Sequence, residues 1–158
     1  SGTYLACING RRSEQEWFVR KSLEIGMVDA IFENANDSML DKMTQLNNRL
    51  INYAAEKEAV PRIEIDNQFH ELIYECSGEQ LAKNIIQTQM SHYNRIRYLA
   101  ELNKSISAKT NDEHEMLIEA IKNKDKRMYL RVIKAHISRI FNELDKLKGI
   151  YPEYFEKN

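Results

Sequence analysis

Pro61-Arg62-Ile63-Glu64-Ile65-Asp66-Asn67-Gln68-Phe69-His70-Glu71-Leu72-Ile73-Tyr74-Glu75-Cys76-Ser77-Gly78 decides the fold. Ile65, Phe69, Leu72 and Cys76 recur at helical spacing and share one face. Pro61 suits the first turn of a helix, where its missing N–H costs nothing, and Ser77-Gly78 ends it. Asp66 and His70 stand at i, i+4, so both side chains emerge beside the apolar stripe. The segment therefore predicts a long helix that carries a carboxylate and an imidazole towards a core.

The same pattern extends on both sides. No glycine occurs between Gly26 and Gly78, nor between Gly78 and Gly149, and the prolines are Pro61 and Pro152 alone. A β protein needs turns more often than that, and no stretch alternates apolar and polar residues for long. Ser13-Glu14-Gln15-Glu16 reads as a capping box opening a first helix, with Trp17, Phe18, Ile25, Val28 and Phe32 as its apolar stripe. Asn36 or Asp37 caps a second helix carrying Leu40, Met43, Leu50 and Ala54. A fourth helix runs from about Glu79 to Leu102. Thr110-Asn111-Asp112-Glu113 is a further capping box for a fifth, and Asp125 caps a sixth that ends near Gly149. The fold class is thus all-α: an antiparallel bundle of six helices, with seven as the alternative count. Residues 13–149 form the bundle, 1–12 stand outside it, and 150–158 form a short aromatic tail placed to dock on the bundle or on a partner.

Composition limits the function. The 158 residues carry 23 Lys+Arg against 24 Asp+Glu, a net charge of −1. That balance excludes a grip on nucleic acid or an anionic membrane by bulk electrostatics. No apolar run is long enough to span a bilayer, and no signal peptide is visible at the start. Cys7 and Cys76 form no motif and read as free thiols in a reducing cytoplasm.

Four histidines, His70, His92, His114 and His136, carry most of the chemistry. The turn between the fifth and sixth helices centres near Lys124, with His114 ten residues before it and His136 twelve after it. At about 1.5 Å of rise per residue both lie roughly 15–18 Å from the turn, so an antiparallel hairpin brings them to similar heights. A lone histidine on an apolar face is ordinarily a core residue with one hydrogen-bond partner. Burying three imidazoles with a carboxylate is costly unless they satisfy one another, and a metal ion achieves that. Asp66, His70, His114 and His136 would give a divalent cation a net charge of +1. Imidazole suits Zn, Ni, Cu or Fe, and the carboxylate admits Mn, with Zn the first choice.

Asp66-x3-His70, Asp112-Glu113-His114 followed by Ala120-Ile121 and Asp125, and then His136 resemble the C-terminal ligand-binding (FCD) domain of GntR-family transcription regulators of the FadR type. Phe69-His70 and Ile73 fit that family's D-x-x-F-H-x-x-I pattern, and Arg20 to Glu24 resembles its R-x-x-L-E segment. The resemblance runs from about Glu16 to Ile140, and the helix count is similar to the VanR-like branch. It implies a helical bundle holding a metal on Asp66, His70, His114 and His136, whose open positions receive a small ligand, often a carboxylate. It also implies a cytoplasmic homodimer that reaches DNA only through an N-terminal winged helix-turn-helix domain. Gly2-Thr3-Tyr4-Leu5-Ala6 resembles the last strand of that domain's wing, so the chain reads as a piece lacking its DNA-reading head. Ile31-Phe32-Glu33-Asn34 departs from the family, which tends to small residues there.

Other residues extend the expected pocket. Arg20 matches the first-helix arginine that commonly faces the effector; the plainer reading is a solvated Arg20–Glu24 pair at i, i+4. His92 and Arg95 form a polar stripe on the fourth helix and are candidate effector contacts, and His92 is also a candidate extra metal ligand. Arg97 points elsewhere, and Tyr93 and Tyr98 read as packing. The expected function is an effector-sensing domain whose ligand alters operator binding by attached DNA-binding heads, with no enzymatic step. The alternative is a metal-dependent hydrolase using Glu71 or Glu115 as a base, but residues at i+1 from a ligand point about 100° away. A third reading is a helical dimerisation module with structural histidines.

Overall fold

The computed structural model describes residues 7–53, 59–103 and 107–157. The wing-like segment Gly2 to Ala6 and the predicted stripe residue Ala54 lie outside them. The described residues form α1 (Gly10–Gly26), α2 (Val28–Asn34), α3 (Asp37–Asn52), α4 (Ala59–Ser77), α5 (Gln80–Thr88), α6 (Ser91–Leu102), α7 (Ser107–Lys122), α8 (Lys126–Asn142) and α9 (Leu144–Ile150), then a 3-10 turn at Pro152–Tyr154. Three of the six predicted helices are interrupted. Met27 and Glu143 keep right-handed backbone angles, so α1–α2 and α8–α9 are bent rods. Gln89 and Met90 leave the helical region and separate α5 from α6. Among the described residues no helix is long and apolar enough to cross a membrane.

Local chemistry explains most boundaries. The Asn36 side chain accepts from the Met39 amide at 3.0 Å and starts α3, and Asp125 does the same for Met128 at 2.8 Å and starts α8. Gly78, at φ +74°, takes the left-handed position that ends α4. Two capping boxes do not form. Asn9 caps α1 by accepting from the Arg12 amide at 2.7 Å, which leaves Ser13 inside the helix, bonded to the Gly10 carbonyl at 2.6 Å. Thr110 likewise lies inside α7, and Glu113 turns to other partners. Gly149 sits within α9 rather than beyond it.

The α7–α8 hairpin turns through Lys124, at φ +55°, and packs along α3 and α1. α4 lies between α3, α2 and α6. Tyr129, Val132, Ile133, Ile137 and Ile140 bury one stripe of α8, and Met39, Met43 and Leu50 bury that of α3. Each such side chain contributes about 1.5–3 kcal/mol on leaving water.

α1 reverses its predicted polarity. Its buried residues are Ser13, Glu16, Arg20 and Glu24, whereas Phe18 is 61% exposed. A helix buries a polar face when the core offers partners. Glu16 accepts from the Tyr93 amide of α6 at 2.8 Å, and in return His92 Nδ1 of α6 accepts from the Asn9 amide at 3.0 Å. The two helices cap each other.

The tail docks on the bundle's own start. Ile8 and Phe155 form a parallel bridge in which the Ile8 amide donates to the Tyr154 carbonyl at 2.7 Å and the Glu156 amide to the Ile8 carbonyl at 3.0 Å. Both apolar side chains are buried.

Two substitutions calibrate this packing. Ile133, fully buried, costs about 2–5 kcal/mol when cut to alanine. Leu81, 73% exposed, changes stability by less than about 0.5 kcal/mol when cut the same way. Urea denaturation of Ile133→Ala and Leu81→Ala measures both.

Candidate metal centre

α4, α7 and α8 bring four side chains to one point. Asp66 and His70 project from one face of α4, His114 from α7 and His136 from α8, and one donor atom of each lies within 4.8 Å of every other. His70 Nε2 and His136 Nε2 are 3.0 Å apart, and His114 Nε2 is 3.2 Å from Asp66 Oδ1. The hairpin register thus places His114 and His136 side by side, with ring centroids 5.0 Å apart. Phe69 stacks flat on His114 at 3.8 Å and fixes the plane of that ring.

The cluster is under-satisfied as it stands. Asp66 Oδ1, His70 Nδ1 and both ring nitrogens of His114 are buried without a well-formed hydrogen bond, although His114 Nε2 approaches Asp66 Oδ1 at 3.2 Å. Burial pushes the imidazoles of His70 and His114 below the usual histidine range, which leaves them neutral with lone pairs to offer. Burial alone would raise the Asp66 carboxyl, but the Arg97 guanidinium in contact with it, together with the imidazoles, holds it well below the usual carboxylate range. Two facing nitrogen acceptors beside an unpaired carboxylate oxygen and an unpaired imidazole are a donor set that a divalent cation fits.

Charged groups surround the four. His136 Nδ1 donates to Glu113 Oε2 at 2.7 Å, which turns its Nε2 lone pair inward, and Glu113 also receives Arg139. Glu24 Oε2 lies 3.8 Å from His70 Nδ1. Glu24 is itself held by Arg20 Nε at 2.7 Å and by the Tyr74 hydroxyl, which donates to it at 2.6 Å. The Arg20–Glu24 pair is therefore buried, not solvated. Arg20, Asp66, Tyr93, Arg97, His136 and Arg139 are among the walls of a cavity of about 50 Å³, room for a few water-sized groups. A second cavity of about 150 Å³, which Arg20 and Arg97 also line, runs past His70 and Tyr74.

Several expectations change. Arg97 turns into the site, because it emerges from α6 opposite α4 and meets Asp66. His92 and Arg95 line neither cavity; Arg95 Nη2 contacts His92 Nδ1 at 2.8 Å, at the junction with Asn9. His92 also stands outside the four-residue cluster. Tyr93 packs but also walls the cavity, its hydroxyl donating to the Ile137 carbonyl at 3.0 Å. Glu71 bonds Lys83 and Gln87 and borders the second cavity, outside the four-residue cluster. Sequence reasoning turned Arg97 elsewhere, read Glu24 only as a solvated partner of Arg20, and missed Glu113 and Arg139 as site residues. Their signal was helical spacing: Arg139 follows His136 by three residues and Glu24 follows Arg20 by four.

The model of the FCD domain family matches residues 17–139. No curated protein matches the chain.

The two neutral imidazoles set a pH dependence. Their folded-state affinity for protons lies below that of the unfolded chain, so the unfolded chain binds more protons at low pH. Chelator-treated protein accordingly loses stability as the pH falls from about 6.5, the ordinary histidine value, towards the lowered folded values. Urea midpoints taken from neutral pH downwards should drop through that window. Flat midpoints would contradict neutral burial of His70 and His114.

Proposed function

The chain belongs to the FCD domain family, the effector-binding domain of GntR-type transcription regulators, and on that premise we propose that it senses a small carboxylate through a bound divalent metal. The observation that carries this reading is the convergence of four donor atoms within 4.8 Å, His70 and His114 buried and Asp66 and His136 half-buried, with buried polar atoms of Asp66, His70 and His114 left without hydrogen-bond partners. Asp66, His70, His114 and His136 would hold the ion, with zinc the best match to three imidazoles and one carboxylate, and Ni, Mn or Fe as substitutes. The ion supplies open coordination positions for the ligand.

The protein's own side chains do the rest. Glu113 orients His136, and Glu24 stands behind His70. Arg139, Arg97 and Arg20 present guanidinium groups to the cavity, where a carboxylate can accept two N–H bonds from one fork. Ile140 and Ala100 supply apolar wall. Glu71, one of the two bases considered for a hydrolase, is paired with Lys83, which favours a binding role for the site. Ligand binding would shift the domain between states and so change operator affinity of a winged helix-turn-helix domain joined to it, in a cytoplasmic homodimer.

Elemental analysis should find one metal per chain, with metal retention lost in His114→Ala. At a thousandfold excess over its dissociation constant the metal adds about 4 kcal/mol, so chelation should lower the melting temperature by roughly 10 °C. Absence of stoichiometric metal, with a chelator-insensitive melting temperature, would refute the reading. Glu113→Ala should weaken metal binding about 10–100-fold, seen by competition with a chromogenic chelator.

A further inference from the structure

Two buried atoms face each other without a bond. Glu24 Oε2 on α1 and His70 Nδ1 on α4 are 3.8 Å apart, and each side chain is 2% exposed. Neither atom has a hydrogen-bond partner among the described residues. The other carboxylate oxygen takes both available donors: Glu24 Oε1 accepts from Arg20 Nε at 2.7 Å and from the Tyr74 hydroxyl at 2.6 Å. That arrangement leaves Oε2 as the oxygen that looks at His70. At the other ring nitrogen, His70 Nε2 meets His136 Nε2 at 3.0 Å. A neutral imidazole carries one proton, and the partner of one nitrogen decides what the other can offer. A lone pair at Nδ1 would point at a carboxylate oxygen, whereas an N–H there is attracted to it.

We propose that Glu24 is a positioning residue of the metal centre: it holds the His70 proton on Nδ1 and so keeps the Nε2 lone pair turned to the cluster. This inference rests on the metal reading above. Glu113 does the same for His136 from α7. Two carboxylates on different helices thus keep two lone pairs facing each other, an arrangement that a shared cation relieves. With its proton on Nε2 instead, His70 would donate to His136 and close the cluster with a hydrogen bond. Arg20 and Tyr74 act one step further out, by fixing which carboxylate oxygen faces the ring. The same two donors make a glutamine informative. In Glu24→Gln they claim the amide oxygen, so the amide nitrogen takes the place of Oε2 and donates towards Nδ1. That demands a lone pair at Nδ1 and sends the proton to Nε2.

Nitrogen NMR of the histidine rings in the chelator-treated full chain at neutral pH, followed by zinc titration against a competing chelator, tests this. Wild type should carry the His70 proton on Nδ1 and Glu24→Gln on Nε2, with zinc bound at least about tenfold more weakly by the variant. Glutamine removes the counter-charge of buried Arg20, so Arg20→Met/Glu24→Gln serves as a second variant in which Tyr74 still orients the amide. A merely structural Glu24 predicts that neither readout moves. The same His70 tautomer in wild type and both variants overturns the proposal. A shifted tautomer with unchanged zinc affinity overturns the positioning role. Wild type that binds no zinc overturns the metal reading alone, and the tautomer still decides whether Glu24 sets His70.

Discussion

The contact between Asp66 and Arg97 organises the molecule's centre. Asp66 is the one carboxylate in the four-residue cluster, and burial alone would push it towards its neutral form. Arg97 keeps it ionised, and that choice ties α6 to α4 at the level of the histidines. Everything beside it follows the same logic of local neutralisation. Glu24 stands against Arg20, and Glu113 against Arg139 and His136. A buried ion pair is a weak source of stability, since desolvation cancels much of the attraction. What the pairs provide is position: each holds a donor or a guanidinium at a fixed place around a small void.

That constraint explains why α1 turns its polar face inward. A first helix with Phe18 outside and Glu16, Arg20 and Glu24 inside would be unstable against a hydrocarbon core. Here the facing helices carry Tyr74, His70 and the amide of Tyr93, so the polar face is satisfied. The apolar energy comes from elsewhere, from the buried cluster that includes Phe69, Ile73, Ile96, Leu117, Ile133 and Ile137.

The helical class, the hairpin and the Asp66, His70, His114 and His136 grouping were legible because they rest on spacing along single helices and on one short turn. Caps at Asn36 and Asp125 were legible for the same reason. The capping boxes at Ser13 and Thr110 misled because a buried partner outbid a local one: Glu16 turned to α6, and Glu113 to His136. Arg97 was misplaced because its orientation depends on the break at Gln89 and Met90, which no glycine or proline marks. His92 looked like a pocket residue because it is polar beside an apolar stripe; it serves instead as an acceptor for the start of another helix. Contacts between distant helices set all of these, and periodicity does not encode them.

The bridge between Ile8 and Phe155 makes the chain a closed loop held by two hydrogen bonds and two buried side chains. Residues 8 and 155 separate only together, because each is the other's strand-like partner among the described residues. A pull delivered at residue 8 is thus shared with residue 155 before it reaches α1. The first helix begins at a point anchored from two directions, by the tail at Ile8 and by His92 at Asn9. Rotation of that point needs both anchors to yield, which makes the start of α1 a stiff joint and not a swivel.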